Sequence, residues 1–505
     1  IDKALHHRLG SAPIRRYMHA GEIFVTPDDT VEHLQNIMLQ ERVGQVPVVE
    51  NGQITGIVTR TDLINLWSQG VESAPQAVNL AEQLADSLPA SLLNLLTEAG
   101  RVAAEIGSAL YIVGGFVRDL LLQKPVFDVD LVVEGDAIAL AQAMQARHGG
   151  RIRSHRRFGT ANWIIEGAVK GIDRLDFVTA RTEFYQHPTA LPEVEQSSIK
   201  QDLHRRDFTI NTLAIRLTPA GYGDLLDFYG GYRDLQEGLI RVLHSLSFVE
   251  DPTRILRAIR LEQRLGFYLG RRTMEHLQNA RDLLKRVTPD RIFSELEYTF
   301  NEAKPEKAYR RFSELGVLQT IFPPLQAGDW FAARCVRLRN GRAGTPWETL
   351  TPTPAHYFGL LTFPLSAEES SRFVAQLRVR ASLQKLLRQI QAVKEAAPTL
   401  AQTRRPGRIY TLLTPYQDEA LLVCWLAFDD PALQTAFIEF SRTLRHVRPL
   451  IDGQYLIEEF GLRPAPLFSR ILNRLRDARL DGQVDTLADE HALVAQILEE
   501  SPPTA

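Results

Sequence analysis

Apolar and polar positions follow two rhythms along this chain, and the rhythm changes near residue 240. Before that point short apolar runs of strand length alternate with segments of helical period; beyond it the signals are helical. Within residues 1–75, "EIFVTPDDTVEHLQNIMLQERVGQVPVVENGQITGIVTRTDLINLW" predicts a short strand, a helix opening at Asp28, Asp29 and Thr30, two strands joined at Asn51-Gly52, and a helix after Thr61 and Asp62. Asn-Gly between apolar runs is a strong hairpin signal, because both residues tolerate positive φ. Residues 76–90 read as a linker. Over 91–240 the pattern predicts helix "PASLLNLLTEAGRVAAEIG", strand "ALYIVGG", helix "VRDLLLQ", strand "FDVDLVVEG", helix "DAIALAQAMQARHG", and strands near "TANWIIEG" and "RLDFVTA". Such alternation predicts an α/β head. A helical neck over 241–300 and a helical body over 301–505 follow, with Pro-rich breaks near 323, 345–355, 398–406 and 463–466.

Length and composition narrow this picture. At roughly 150 residues per domain, 505 residues make three or four domains, and 44% hydrophobic content is ordinary for packed structure, excluding disorder and collagen-like repeats. The two cysteines, Cys335 and Cys424, are too few for a disulfide framework and fit a reducing cytoplasm. No apolar run is long enough for a transmembrane helix. The chain opens on Ile1 without a signal-peptide pattern, and is expected to be cut from something longer. A net charge of -3 argues against a uniformly basic protein, so a nucleic-acid surface would have to be local. Residues 331–480 hold 21 basic and 13 acidic side chains, an excess suited to phosphate binding. Arginine dominates there: Arg334, Arg337, Arg339 and Arg342, then Arg372, Arg378, Arg380 and Arg388 with Lys385, then Arg404, Arg405 and Arg408. Arg442, Arg445, Arg448, Arg470, Arg474, Arg476 and Arg479 continue the series.

The densest chemistry lies in "YIVGGFVRDLLLQKPVFDVDLVVEGD". A strand running through Gly114-Gly115 into a helix makes a turn where backbone can approach a phosphate. Asp128 and Asp130, two apart on a strand, share one face, and two carboxylates there repel unless a cation lies between them. Mg2+, a hard oxygen-seeking cation, meets that need. Asp-x-Asp by itself is a weak signal that better fits a solvated strand end or turn; joined to the Gly-Gly turn at this spacing it becomes much more specific.

Four further motifs follow in order: "RRDFTINTLA", "DFYGGYRDL", "EDPTRILRAIR" and "VTPDRIFSELE". Over residues 90–300 this series resembles the DNA polymerase beta-like nucleotidyltransferases, and within them the class II, bacterial-type tRNA nucleotidyltransferase and poly(A) polymerase family. The upstream string "GIVTRTDL" resembles a CBS module. The resemblance implies an α/β nucleotidyltransferase head followed by an all-helical neck and body, with an N-terminal α/β CBS module. It implies Asp128 and Asp130 as catalytic ligands of Mg2+, with two ions expected, and Asp176 as a candidate third ligand; an ion pair of Asp176 with Arg174 or Arg181 is the alternative.

Gly114, Gly115, Arg118, Arg205, Arg206 and Asp207 are implied around the nucleotide phosphates and ribose, since guanidinium forks suit phosphate oxygens. Asp251 and Arg254, three apart and so on one face if helical, with Arg257 nearby, are implied to read the base. An Asp acceptor beside an Arg donor matches the amino group and ring nitrogen of ATP and CTP, and leaves unpaired groups against GTP or UTP. A salt bridge along a solvated helix is the alternative. Asp227, Gly230, Gly231 and Asp234 are expected to serve as a flexible hinge and structure. Arg291 and Glu295, spaced i,i+4, are expected to form a structural ion pair. Before Arg291 the chain has Asp290 where the family usually shows Glu. In CBS modules the Thr and Asp matching Thr59 and Asp62 often contact adenine-nucleotide ribose; packing or dimerisation is the alternative for this unit.

The expected partners are the tRNA 3' end and ATP, with CTP if all of CCA is added. The loop "TARTEFYQHPTALPEVEQSSIKQDLHRRDF" is intact where shortening is associated with enzymes that stop after CC. With the CBS unit upstream, the chain looks most like A-adding enzymes, whose longer chains often carry a DHH-type domain and paired CBS modules. Complete CCA addition, poly(A) synthesis and a catalytically dead nucleotide sensor stay open as alternatives.

Overall fold

A computed structural model describes residues 23–41, 43, 45–59, 62, 78–125, 129–165, 173–184, 193–463 and 466–500. The chain divides into two compact units: residues 1–251 with 268–279, and residues 252–267 with 280–505.

In the first unit, Thr30 caps the helix Val31–Gln40 by accepting from the His33 N–H, as the Asp-Asp-Thr signal predicts. Strands β1 (Gln45–Glu50) and β2 (Gln53–Thr59) pair antiparallel across Asn51-Gly52, where φ is 52° and 77°. Val25, Leu34, Met38, Val43 and Val46 form the small core of this module. The helix expected beyond Asp62 falls outside the described residues.

The head is built on a seven-stranded sheet in the order β11-β10-β3-β4-β7-β6-β5. Its strands are β3 (Ala109–Val113), β4 (Leu131–Glu134), β5 (Arg151–His155), β6 (Thr160–Ile164), β7 (Arg174–Thr179), β10 (Leu213–Arg216) and β11 (Leu225–Asp227). A two-stranded hairpin, β8 (Arg181–Phe184) with β9 (Glu193–Gln196), follows β7. Only β4 and β7 run parallel; the other neighbours in the sheet are antiparallel. Side chains alternate between faces. Tyr111, Val113, Val132 and Ala214 share one face with Ile199 and Leu203 of the helix Ile199–His204. The helices Ala90–Glu105 and Ala137–His148 pack against the sheet as well.

Three expectations are corrected here. Residues 78–88 are part of the head rather than a linker: Leu80 N–H donates to the Gly223 carbonyl at 2.8 Å, Leu225 N–H donates to the Val78 carbonyl at 2.9 Å, and Leu84 is fully buried. The strand expected over 127–135 is observed from Leu131, so Asp130 stands just before it. β5, the β8–β9 hairpin and β10–β11 were absent from the pattern, because strands of three to five residues carry too little periodicity.

In the second unit, helices from Thr253–Leu265 to Leu487–Glu500 surround an aromatic core in which Phe300 stacks on Tyr309 with ring centroids 4.1 Å apart. A separate cluster of Ile451, Leu456, Ile471, Leu475, Val494 and Ile497 consolidates the last helices. The break expected from 398 is corrected too: the helix Ala381–Gln402 runs through Pro398. Nor is the neck a separate unit, since 241–251 and 268–279 belong with the head, and 252–267 and 280–300 with the body. No described helix is long and apolar enough to cross a membrane.

One glycine is fixed by packing. A Cβ on Gly100, inside Ala90–Glu105, would lie 2.0 Å from the Leu217 carbonyl oxygen. Gly100→Ala should therefore lower stability by about 1–3 kcal/mol, the usual cost of overpacking. A thermal midpoint equal to the parent's would show that the helix can move away at no cost.

Candidate active site

The site is organised around Gly114. Its φ of 74° is in the region that glycine adopts without strain, and it caps the helix Gly115–Leu121 at the end of β3. A Cβ here would stand 2.7 Å from Arg206 Nη1 and 3.7 Å from Asp130 Oδ2. The missing side chain thus admits a guanidinium and a carboxylate to one spot. Asp130 is held by its backbone, its carbonyl accepting from Val113 N–H at 3.1 Å. Alternation puts its side chain on the Val132 face of the sheet, under the helix Ile199–His204. Asp128 lies outside the described residues. The β4–β7 register sets Leu131 beside Phe177, and Asp130 and Asp176 each immediately precede one member of that pair. Asp176 also meets its structural alternative, with Arg174 Nε at 3.6 Å and Asn162 Nδ2 donating at 2.6 Å.

Arg205 and Arg206 follow the helix Ile199–His204, which a Ser198–Gln201 capping box starts. Both guanidiniums bind Asp202, whose carboxylate is fully buried. Arg205 donates to Oδ1 from Nε at 3.0 Å and Nη2 at 2.7 Å, and Arg206 Nη2 donates to Oδ2 at 3.3 Å. The Arg181 N–H at the root of the β8–β9 hairpin also reaches Asp202 Oδ1, at 3.3 Å. Asp202 was not among the expected site residues, although its i,i+3 and i,i+4 spacing to the two arginines is a usable signal.

Arg118 is a correction. Expected near the nucleotide, it is 5% exposed and turned inward: Nε and Nη2 grip Asp119 at 2.8 Å each, and Nη1 donates to Asn211 Oδ1 at 2.7 Å. Asn211 Nδ2 in turn donates to Asp207 Oδ1 at 2.8 Å, which also accepts the Phe208 N–H at 2.9 Å. Arg118 is therefore the brace that ties the Gly-Gly turn to Asp207. The Gly230-Gly231 turn is also pinned rather than flexible. Asp227 accepts the N–H groups of Tyr229, Gly231 and Tyr232, and a Cβ on Gly231 would meet the Thr209 carbonyl oxygen at 2.2 Å. Asp234 is buried, accepting from Thr209 Oγ1 at 2.6 Å and Arg241 Nη2 at 2.9 Å. Burial pushes the Tyr229 phenol up to about 12, so it stays a neutral donor to the Lys200 carbonyl at 2.8 Å.

The helical-face argument for Asp251 and Arg254 is corrected. Asp251 is extended, at φ -138° and ψ 96°, because the following Pro252 disfavours helical backbone, and the helix starts only at Thr253. Asp251 belongs to the first unit; Arg254, 6% exposed, belongs to the second. Within that second unit Glu295 receives Arg260 Nη1 at 2.9 Å and lies 3.7 Å from Arg257 Nη1. Its ion pairing thus crosses between helices, which the Arg291 spacing did not reveal. Arg291 Nη2 donates to Thr253 Oγ1 at 3.3 Å.

Several body arginines are structural. Arg339 grips Glu306 in a fork of 2.7 and 2.6 Å, Arg342 donates to the Trp347 carbonyl at 2.7 Å, and Arg479 donates to buried Glu490 at 3.0 Å. Arg372, Lys385, Arg388, Arg404, Arg405 and Arg408 face solvent. In the N-terminal module, Asp62 accepts the Thr59 N–H at 2.8 Å and its hydroxyl at 2.7 Å, so the two residues cap one another. Among the described residues no group of three His, Cys, Asp or Glu side chains could hold a metal ion.

Residues 110–241 match the poly(A) polymerase head domain, 14–68 the CBS domain, and 266–328 the family described as a probable RNA- and SrmB-binding site of polymerase A. The chain is 34% identical to an A-adding tRNA nucleotidyltransferase of Geobacter sulfurreducens, matching 99% of this chain but 59% of that protein. It is 32% identical to one from Halalkalibacterium halodurans, over 84% of this chain and 97% of the relative. The solved Thermotoga maritima CCA-adding enzyme complexed with tRNA is similar at a TM-score of 0.68 and 30% identity, covering 84% of this chain and 100% of that one.

Asn211 is the bridge on which this arrangement makes its sharpest demand. Asn211→Ala leaves Arg118 Nη1 and one lone pair of Asp207 without this partner, and should cost about 1–3 kcal/mol of stability. A denaturant midpoint unchanged from the parent would mean that other groups satisfy both.

Proposed function

Because the chain belongs to the tRNA nucleotidyltransferase and poly(A) polymerase family, we propose that it adds the terminal AMP from ATP to the 3' end of tRNA ending in CC, releasing pyrophosphate, in the cytoplasm. The observation that carries the chemistry is the meeting of Asp130 and Arg206 at the side-chain-free face of Gly114. The choice of A rests on the A-adding relatives in Geobacter and Halalkalibacterium. Complete CCA addition is the second reading, favoured by the likeness to the Thermotoga CCA-adding enzyme.

In this reading the RNA 3'-hydroxyl attacks the α-phosphate of ATP. Asp128 and Asp130 are the carboxylates that would hold Mg2+, with Asp176 the adjacent candidate on β7. Carboxylate oxygens are the donors that such a hard cation takes. Bound Mg2+ would supply charge neutralisation at the reacting phosphates. Arg205 and Arg206 address the triphosphate through charge-assisted hydrogen bonds, and Asp207 takes the ribose. Arg254 is the candidate donor to the base, with Arg257 in support. The solvent-facing arginines of the body bind tRNA phosphates. Catalysis is then positioning and electrostatics, with no protein nucleophile.

Purified protein, Mg2+ and either ATP or CTP should be offered to tRNAs lacking A, CA or CCA and to an unrelated RNA. Growth of the CC-ended tRNA by one AMP is the expected result. Incorporation of CTP would overturn it in favour of CCA addition, and long A tails on unrelated RNA in favour of poly(A) synthesis. Asp130→Ala and chelation of Mg2+ should each lower the rate by roughly 10³-fold or more, the scale of several kcal/mol of lost charge stabilisation. Near-parent rates would remove the metal assignment. Arg254→Ala should admit GTP; continued rejection would remove the base-reading role.

A further inference from the structure

We propose that Asp202 is a positioning residue for nucleotide binding: its carboxylate holds Arg205 and Arg206 together at the face of the site where they receive the triphosphate. This rests on the reading of the two arginines given above.

Asp202 itself has no access to a ligand, being 0% exposed. The side chains of Arg205 and Arg206 are 20% and 18% exposed, so each guanidinium is only partly withdrawn from solvent. Two adjacent cations in a partly dry setting repel, and without a counter-charge they would splay apart. Asp202 opposes this by taking one guanidinium on each oxygen, Arg205 on Oδ1 and Arg206 on Oδ2. Its own position is rigid. The Ser198–Gln201 box fixes the start of the helix, and Ile199 and Leu203 lock it onto the sheet. Arg206 then extends past Asp202 to bring Nη1 beside Gly114 and into the neighbourhood of Asp130. The carboxylate therefore sets the distance between the cationic and acidic halves of the site, and a binding group held by a packed supporting residue is preorganised.

A second duty falls on the same oxygen. Asp202 Oδ1 also receives the Arg181 N–H, the first residue of the β8–β9 hairpin. The root of that hairpin and the two arginines thus share one anchor, so a shift at either alters the hydrogen bonding available to the other.

The full chain should be compared as parent, Asp202→Asn and Asp202→Glu for equilibrium binding of Mg-ATP and of AMP, which lacks the β- and γ-phosphates, alongside thermal melting. Asn keeps the shape and removes the charge; Glu keeps the charge and displaces it. Expected is a fall in ATP affinity of roughly tenfold or more for Asp202→Asn, the scale of one charged hydrogen bond, with a smaller fall for Asp202→Glu. AMP affinity should stay within about twofold of the parent in both, because the arginines address the outer phosphates. A merely structural role would weaken ATP and AMP together, and that result overturns the proposal. So does parent-like ATP binding by a folded Asp202→Asn. If Asp202→Asn does not fold, Asp202→Glu decides: weaker ATP with unchanged AMP supports the proposal, and parity with the parent overturns it. A parent chain that binds no ATP overturns the nucleotide-binding reading and this inference with it. Parent binding with unaltered variants overturns this inference alone.

Discussion

The meeting of Arg206 and Asp130 in the candidate active site depends on how closely their side chains approach the backbone at Gly114. The residue ends β3, accepts positive φ, and leaves a gap that Arg206 Nη1 and Asp130 Oδ2 approach. A side chain there would collide with the guanidinium before any question of ligand arose. Sheet geometry supplies the rest of the constraint. Alternation fixes which face Asp130 occupies, and β4 pairs in parallel with β7, the strand that carries Asp176. Positioning of this kind is inexpensive to maintain, since it uses ladder hydrogen bonds that the sheet makes in any case.

Around that turn the head uses buried ionic groups as fasteners. Asp119, Arg118, Asn211 and Asp207 form one chain of hydrogen bonds linking the Gly-Gly turn to the segment after Arg206. Asp202 serves the arginines, and Asp227 and Asp234 serve the second Gly-Gly turn. Buried polar groups are tolerated when they are fully partnered, and such networks specify one arrangement more than they add stability. The body applies the same chemistry at its helix contacts, where Arg339 with Glu306 and Arg311 with Glu262 join separate helices. Its arginine content is therefore divided between internal pairs and solvent-facing groups, and the count of basic residues overstates the surface open to RNA.

Much of this was legible in the residues. The module before residue 75, the α/β head and the helical remainder follow from hydrophobic period and from Asn51-Gly52 and Thr30 as local signals. Short strands such as β5 and β11 were not legible, because three to five residues with mixed burial carry too little pattern. Residues 78–88 read as a linker since their packing partners, Gly223 and Leu225, are some 140 positions away in sequence.

The distinction between Arg118 and Arg206 shows where sequence stops. Both are arginines beside aspartates in ordered motifs, and the sequence by itself determined the family, the chemistry the residues can perform, and the turn that needs glycine. Only the tertiary structure decided that Arg118 faces Asp119 and Asn211 while Arg206 reaches Gly114, and that Asp202 stands beneath the pair. The same holds for Glu295, whose partners Arg257 and Arg260 lie a helix away, and for Asp251, which Pro252 removes from the helix. Spacing along one element reports neighbours within a turn. Hydrogen bonds between elements depend on burial and packing direction, which are properties of the assembled fold.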